Sequence, residues 1–298
     1  MNRALRDTRT AGFTLTELLV SLVIAGFLAG VILQLVTGQA RFTDIQYARQ
    51  EVQDNARGTL ELLGSELRTV PLPGGLLMAG EDTIRFRAPM AWGVYCGENS
   101  GSRYVVFDKF VWVNAAAGGI PLQTGLALQR SDGSIDGTAP PVFDWAENVT
   151  RSDTLSRTVA ATSPCKGLTD DDTRTVVVKF DNVPGGVPGS PGLAAYVWRS
   201  VAYGKGTPDA AGDRWMTREL SGSGRPEPLA GPVENLTFRY LNAAGVAFTA
   251  PVDAIRRDSI RNVRVIVTMR GRQGTGASSG KRKVSTQDSI TVSLRNFR

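Results

Sequence analysis

The sequence predicts an α+β protein, with one long N-terminal helix, about residues 13–69, packed on a C-terminal antiparallel β-sheet head. Three observations predict it. An apolar run free of charge extends from Leu18 to Val36. Helical periodicity then continues as a stripe through Phe42, Ile45, Val52, Ala56, Leu60, Leu63 and Leu67, until Pro71, Pro73, Gly74 and Gly75 end it. Beyond that break, β-branched and aromatic segments alternate with turns, in a chain that holds 33 glycines and 15 prolines.

The N-terminal residues come first. Arg3, Arg6 and Arg9 stand against one acid, Asp7, ahead of the apolar run. Nineteen helical residues, Leu18 to Val36, span roughly 28 Å, close to the ~30 Å hydrocarbon core of a bilayer. The preceding arginines place the N-terminus in the cytoplasm and the remainder outside it. A plain anchor would explain the length and the arginines but not Glu17, because a charge in the bilayer costs ~2.5–3.5 kcal/mol on insertion scales. Gly26 and Gly30 form a small-xxx-small pair that lets apolar helices approach closely.

From 38 to 70 the helix is amphipathic, with charges of alternating sign between its apolar positions. Such a stripe has to lie on something, and the chain's own head is the nearest surface. Pro71 disfavours helix at Val70. In the head, strands are predicted at 82–88, 103–113, 126–134, 174–180, 194–204, 214–220, 233–248, 260–270 and 289–296. The strands 194–204 and 214–220 flank a polar Gly/Asp loop and read as a hairpin. Leu236, Phe238 and Tyr240 share one face, as do Val263, Val265, Val267 and Met269. The stretches 114–125, 146–173, 181–192 and 204–213 read as long polar connections.

Chemistry is sparse. The 298 residues include no histidine, which removes the commonest general base and metal ligand. Asp132 and Asp136, and the acids of "TDDDTR" at 169–174, lack the spacing of a calcium loop and read as solvated turns. No enzyme, cofactor or metal is expected. Cys96 and Cys165 have no metal-ligand spacing, and outside the cytoplasm an even pair reads as a disulfide. The last 46 residues carry eleven cationic side chains against three acids, a local +8 that exceeds the +6 of the whole chain. Arg256, Arg257, Arg261, Arg264 and Arg270 are therefore a possible basic patch, for DNA phosphates or for acidic neighbours, although no aromatic residues interleave with them.

The stretch "GFTLTELLVSLVIAG", residues 12–26, resembles the processing site of type IV prepilins. The resemblance implies a basic leader, 1–12, that a prepilin peptidase removes between Gly12 and Phe13, with methylation of the new amino group on Phe13. It implies that residues 13–37 first cross the inner membrane and then pack at the centre of a filament. Glu17 would pair there with the amino group of a neighbour. A softer resemblance covers 194–298: "VENLTFRYLNAAG", "IRNVRVIVTMRG" and "SITVSLRN" are similar to the ends of W-type minor pilins and of J-type pseudopilins of type II secretion. It implies a minor filament subunit with a head at 71–298, first in the periplasm and then on the cell surface. Its partners would be other pilins and minor pilins, the prepilin peptidase and the inner-membrane assembly platform. A membrane-anchored adhesin or DNA-binding module using the same leader is the alternative of another kind.

Overall fold

The computed structural model describes residues 14–117, 123–131, 142–152, 164–166, 174–185, 189–221, 225–271 and 285–296. Two compact units divide the chain, Met1–Gln50 and Glu51–Arg298. Helix α1, Leu15–Leu67, runs through both. In the first unit Phe42 and Ile45 are exposed, at 64% and 39%. They therefore do not join the stripe expected of them. In the second unit Val52, Ala56, Leu60, Leu63 and Leu67 are buried and belong to one hydrophobic core. Arg68 and Thr69 turn off the helix end, donating to the carbonyls of Gly64 and Glu66.

The strands after α1 are β1 (Pro71–Leu72), β2 (Leu76–Ala79), β3 (Thr83–Asn99) and β4 (Ser102–Asp108). Helix α2 (Lys109–Ala117) follows. Then come β5 (Gln123–Arg130), β6 (Val142–Arg151), β7 (Thr175–Asp181), β8 (Ala194–Lys205), β9 (Met216–Leu220), β10 (Glu227–Ala230), β11 (Val233–Leu241) and β12 (Ala247–Phe248). A short helix α3 (Ala254–Arg257), then β13 (Asn262–Arg270), β14 (Ser285–Ser293) and β15 (Arg295–Asn296) complete the order.

Two of these correct the sequence-based expectation. The strand expected over 103–113 stops at Asp108, because the Asp108 carboxylate accepts the Phe110 and Val111 N–H groups and starts α2. The Val-Trp-Val run is then helical, and Trp112 is buried 4.7 Å from the ring of Phe107. Within 146–173, expected as a connection, residues up to Arg151 extend β6, whose partner β5 supplies the missing hydrogen bonds.

Six strands close on themselves. Antiparallel pairings run β3–β4, β4–β7, β7–β6, β6–β5 and β5–β8, and β8 pairs again with β3. The barrel core holds Tyr95, Phe107, Leu126, Leu128, Phe180 and Val197 among others, with Trp112 from α2. Beyond the barrel the same β3 and β8 continue, flanked by β2 and by β9–β10. There Ile84, Phe86, Val201 and Tyr203 join a second core with α1 and the inner face of a four-stranded sheet, β12–β11–β13–β14. The expected faces hold: Leu236, Phe238, Tyr240, Val263, Val265, Val267 and Met269 are all buried there. Gly64 lets the helix approach β14; a Cβ on it would stand 3.0 Å from the Ile290 side chain. Glu66 ties the helix end to β8 and β9 by accepting the Tyr203 hydroxyl at 2.7 Å and the Arg218 guanidinium.

Two clamps hold the barrel wall. Cys96 on β3 is bonded to Cys165, which seats residues 164–166 on the outer side of β3, β4 and β7 beside Tyr104, Val106 and Val177. The Asp181 carboxylate gathers Ser102 and Ser152, each at 2.6 Å, and Lys179 at 2.9 Å. Burial works to raise its pKa, but these donors outweigh it and hold the group at about 2, below its usual 3.8.

Two outcomes are expected. Leu63 is fully buried and Leu62 is 39% exposed. Leu63→Ala should lower stability by about 2–5 kcal/mol, and Leu62→Ala by no more than about 0.5 kcal/mol, measured by denaturant unfolding of the detergent-solubilised chain. Asp181 stabilises fully above its unfolded pKa, because the folded value is depressed. Its contribution should fade as pH falls from about 4 toward about 2. Wild-type unfolding midpoints should therefore drop more steeply over that window than those of Asp181→Asn.

Candidate functional site

The first described residues form a helix start with a specific chemistry. Thr14 sits just before α1 and its carbonyl accepts the Leu18 N–H at 3.2 Å. The Glu17 carboxylate accepts the Thr14 backbone N–H at 3.1 Å and the Thr14 hydroxyl at 3.1 Å. In return the Glu17 N–H donates to the Thr14 hydroxyl oxygen at 3.4 Å. This is a reciprocal capping box, in which two otherwise unpaired helix-end donors are satisfied by the pair T-x-x-E. The negative carboxylate also stands at the positive end of the helix dipole. Sequence analysis named Glu17 and missed Thr14. The signal was present, since Thr14 and Glu17 have the capping-box spacing ahead of an apolar run.

The helix that follows is apolar on every side. From Leu15 to Val36 its large hydrophobic residues are 46–80% exposed. An 18-residue window within the helix has a mean hydropathy of 2.6 and none of it is buried. Such a helix is long and apolar enough to cross a membrane. Its few hydroxyls are satisfied within the helix: Ser21 donates to the Leu18 carbonyl at 2.9 Å and Thr37 to the Leu33 carbonyl at 2.9 Å. Hydroxyls satisfied within the helix need no water, which is what hydrocarbon demands. Gly26 and Gly30 open two gaps in this surface; a Cβ at either would meet nothing within 4 Å. The leader, Gly12 and Phe13 lie outside the described residues.

The five arginines of the possible basic patch are not brought to one surface. Arg256 and Arg257 lie in α3, where Arg256 is paired with Asp253. Arg261 donates to the Asp258 and Ile260 carbonyls, at 2.6 and 3.0 Å. Arg264 lies on the outer face of β13, and Arg270, at the far end of that strand, is paired with Asp213. Nine residues of strand separate Arg261 from Arg270, about 30 Å. Register adds a residue that the sequence did not single out. Arg239 on β11 stands directly across from Arg264, and both are exposed. Among the described residues no group of three or more His, Cys, Asp or Glu side chains is placed to hold a metal ion. Asp132, Asp136 and the three acids at 170–172 lie outside the described residues.

Comparison with known proteins bears on the helix start. Residues 7–33 match the family model of the prokaryotic N-terminal methylation motif. No curated protein matches the chain. A type IV-like pilin from Thermus thermophilus is similar in structure at 10% identity, with 83% of this chain and 98% of that chain covered and a TM-score of 0.27. The capped, acid-bearing start and the apolar helix behind it thus include the described part of a prokaryotic N-terminal methylation motif.

Proposed function

We propose that this protein is a minor type IV pilin of the W type, a structural subunit that takes part in building a pilus or pilus-like filament. The observation that carries the proposal is the methylation motif at 7–33 joined without interruption to an exposed apolar helix. The peptidase cuts between Gly12 and Phe13, and the new Phe13 amino group is methylated. Before assembly the helix spans the inner membrane, with the leader on the cytoplasmic side and the head outside. The bond between Cys96 and Cys165 supports an oxidising compartment for the head. On assembly the apolar helices pack against one another, and Gly26 and Gly30 allow close approach.

Glu17 then exchanges partners. In the single chain its carboxylate caps its own helix through Thr14. In the filament it faces the amino group of a neighbour in a medium of low dielectric. Leaving one member of such a pair unmatched costs about 3–5 kcal/mol, so only one axial register is favourable. The partners are other pilins, the prepilin peptidase and the assembly platform.

Two experiments test the reading. Mass spectrometry of the mature protein should find a methylated Phe13 at its start, and replacing Gly12 by a bulky residue should leave the leader attached. A mature chain beginning near Gly38 would refute the processing site. Glu17 is tested by the ratio of this protein in sheared filaments to that in membranes. Glu17→Gln keeps a side chain able to complete the capping box but removes the charge. It should be processed normally and lose incorporation at least as severely as expected for about 3 kcal/mol, roughly a hundredfold. Normal incorporation of Glu17→Gln would mean that the cap, not the charge, is what Glu17 supplies.

A further inference from the structure

Two surfaces of the Glu51–Arg298 unit carry charges that have no ion-pair partner among the described residues. The first is the outer face of the four-stranded sheet. Arg239 and Arg264 are cross-strand neighbours there, and Thr291 on β14 is the next residue in the same row. Like charges directly opposed on a sheet destabilise it, so the chain carries a cost at this place. The outward residues of β11 from Thr237, of β13 and of β14 are Thr, Arg, Leu, Asn, Ile, Ser and Gln, with no acid among them. Neither Arg239 nor Arg264 has an ion-pair partner among the described residues.

The second surface is the solvent side of α1. Val52, Ala56, Leu60, Leu63 and Leu67 face the core. Glu51, Asp54, Gly58, Glu61 and Ser65, spaced three and four residues apart, form the ridge on the opposite side, and the three acids are exposed. The acids span ten residues, about 15 Å of helix. They too have no ion-pair partner among the described residues; Arg57 flanks the ridge without interrupting it.

We propose that the acidic ridge Glu51–Asp54–Glu61 of one copy docks on the Arg239–Arg264 face of a second copy. Opposite charge is the ground for choosing this occupant: the arginine pair lacks carboxylates, and the ridge supplies three in a row. Guanidinium and carboxylate also meet in bidentate geometry. The two patches are different parts of one chain, so the contact is head to tail. Each copy keeps one free patch of either sign, so the contact does not close into a symmetric dimer. The proposal rests on the filament-subunit reading above and adds the surface by which successive heads meet.

The test co-expresses two full-length variants with different tags, Gly58→Cys and Thr291→Cys, and treats intact cells with a flexible bis-maleimide. Hetero-tagged dimers should form, while either variant alone should give none. Reversing both arginines in the Thr291→Cys copy, Arg239→Glu with Arg264→Glu, should cut the dimer yield about tenfold or more, and adding Asp54→Arg with Glu61→Arg to the Gly58→Cys copy should restore it. All these positions are exposed or lie on the solvent ridge, and an intact bond between Cys96 and Cys165 on non-reducing gels checks the fold. Absence of the hetero-dimer in both membranes and sheared filaments overturns the docking. Hetero-dimers in membranes with no protein in filaments leave the docking standing and overturn the filament reading. If the arginine reversals leave the dimer unchanged but abolish binding of duplex DNA by the solubilised chain, a polyanion is the occupant and the proposal fails.

Discussion

The ladder between β3 and β8 is the interaction on which the head depends. Both strands are long, and both serve two cores. Near Ala194–Val197 they form part of the barrel wall, and near Val201–Gly204 they lie over the helix. A strand that alternates strictly presents residues of one parity to one side along its whole length. β3 departs from strict alternation through a register shift between Pro89 and Ala91. Before it Ile84, Phe86 and Ala88 point inward; after it Ala91 and Tyr95 do. The extra residue moves Trp92 outward, where it is 60% exposed. A proline at this place is tolerated because a bulge already interrupts the hydrogen-bond ladder.

Around that ladder, small residues and buried aromatics set the fit. Gly125 on β5 lies under the Trp198 ring, which a Cβ would meet at 2.1 Å. Gly74, with φ at +83°, lies against Trp145 in the same way. Its conformation is one that side chains rarely adopt. Arg87 is held between Trp145 and Trp198, 4.8 and 4.7 Å from their ring centres, and donates to the Gly74 carbonyl and to Glu147. Burial lowers the Arg87 pKa, against the opposing pull of Glu147. The guanidinium thus ties the turn after the helix to the barrel wall by stacking as well as by charge.

The N-terminal part of α1 is under a different constraint. The Ser21 and Thr37 hydroxyls are returned to backbone carbonyls, and the one carboxylate is held by the helix start itself. The only charged side chain of the segment therefore stands at its start. Removal from water costs it little, and any new cation near Glu17 has a carboxylate to meet. The same physics has the opposite result on the head, where Arg239 and Arg264 are held side by side by strand register and neither has an ion-pair partner among the described residues.

By itself the sequence determined the elements that depend on local pattern. The apolar run, the stripe from Val52 to Leu67, the proline-glycine stop and the alternating strands of 233–241 and 262–270 follow from side-chain period and from backbone chemistry, which act over a few residues. Glu17 stood out for the same reason, as a lone acid beside an apolar run, and its cap with Thr14 is a three-residue pattern. The conversion of 109–117 from strand to helix depended on one carboxylate, Asp108, and on room for Trp112 beside Phe107. Only the tertiary structure decided that six strands close into a barrel, because closure depends on β8 meeting β3 more than a hundred residues earlier in the chain. It alone placed Arg239 against Arg264 and dispersed the other arginines. Which residues face one another across strands is set by register, and register is fixed by the packing of whole faces that no short stretch of sequence contains.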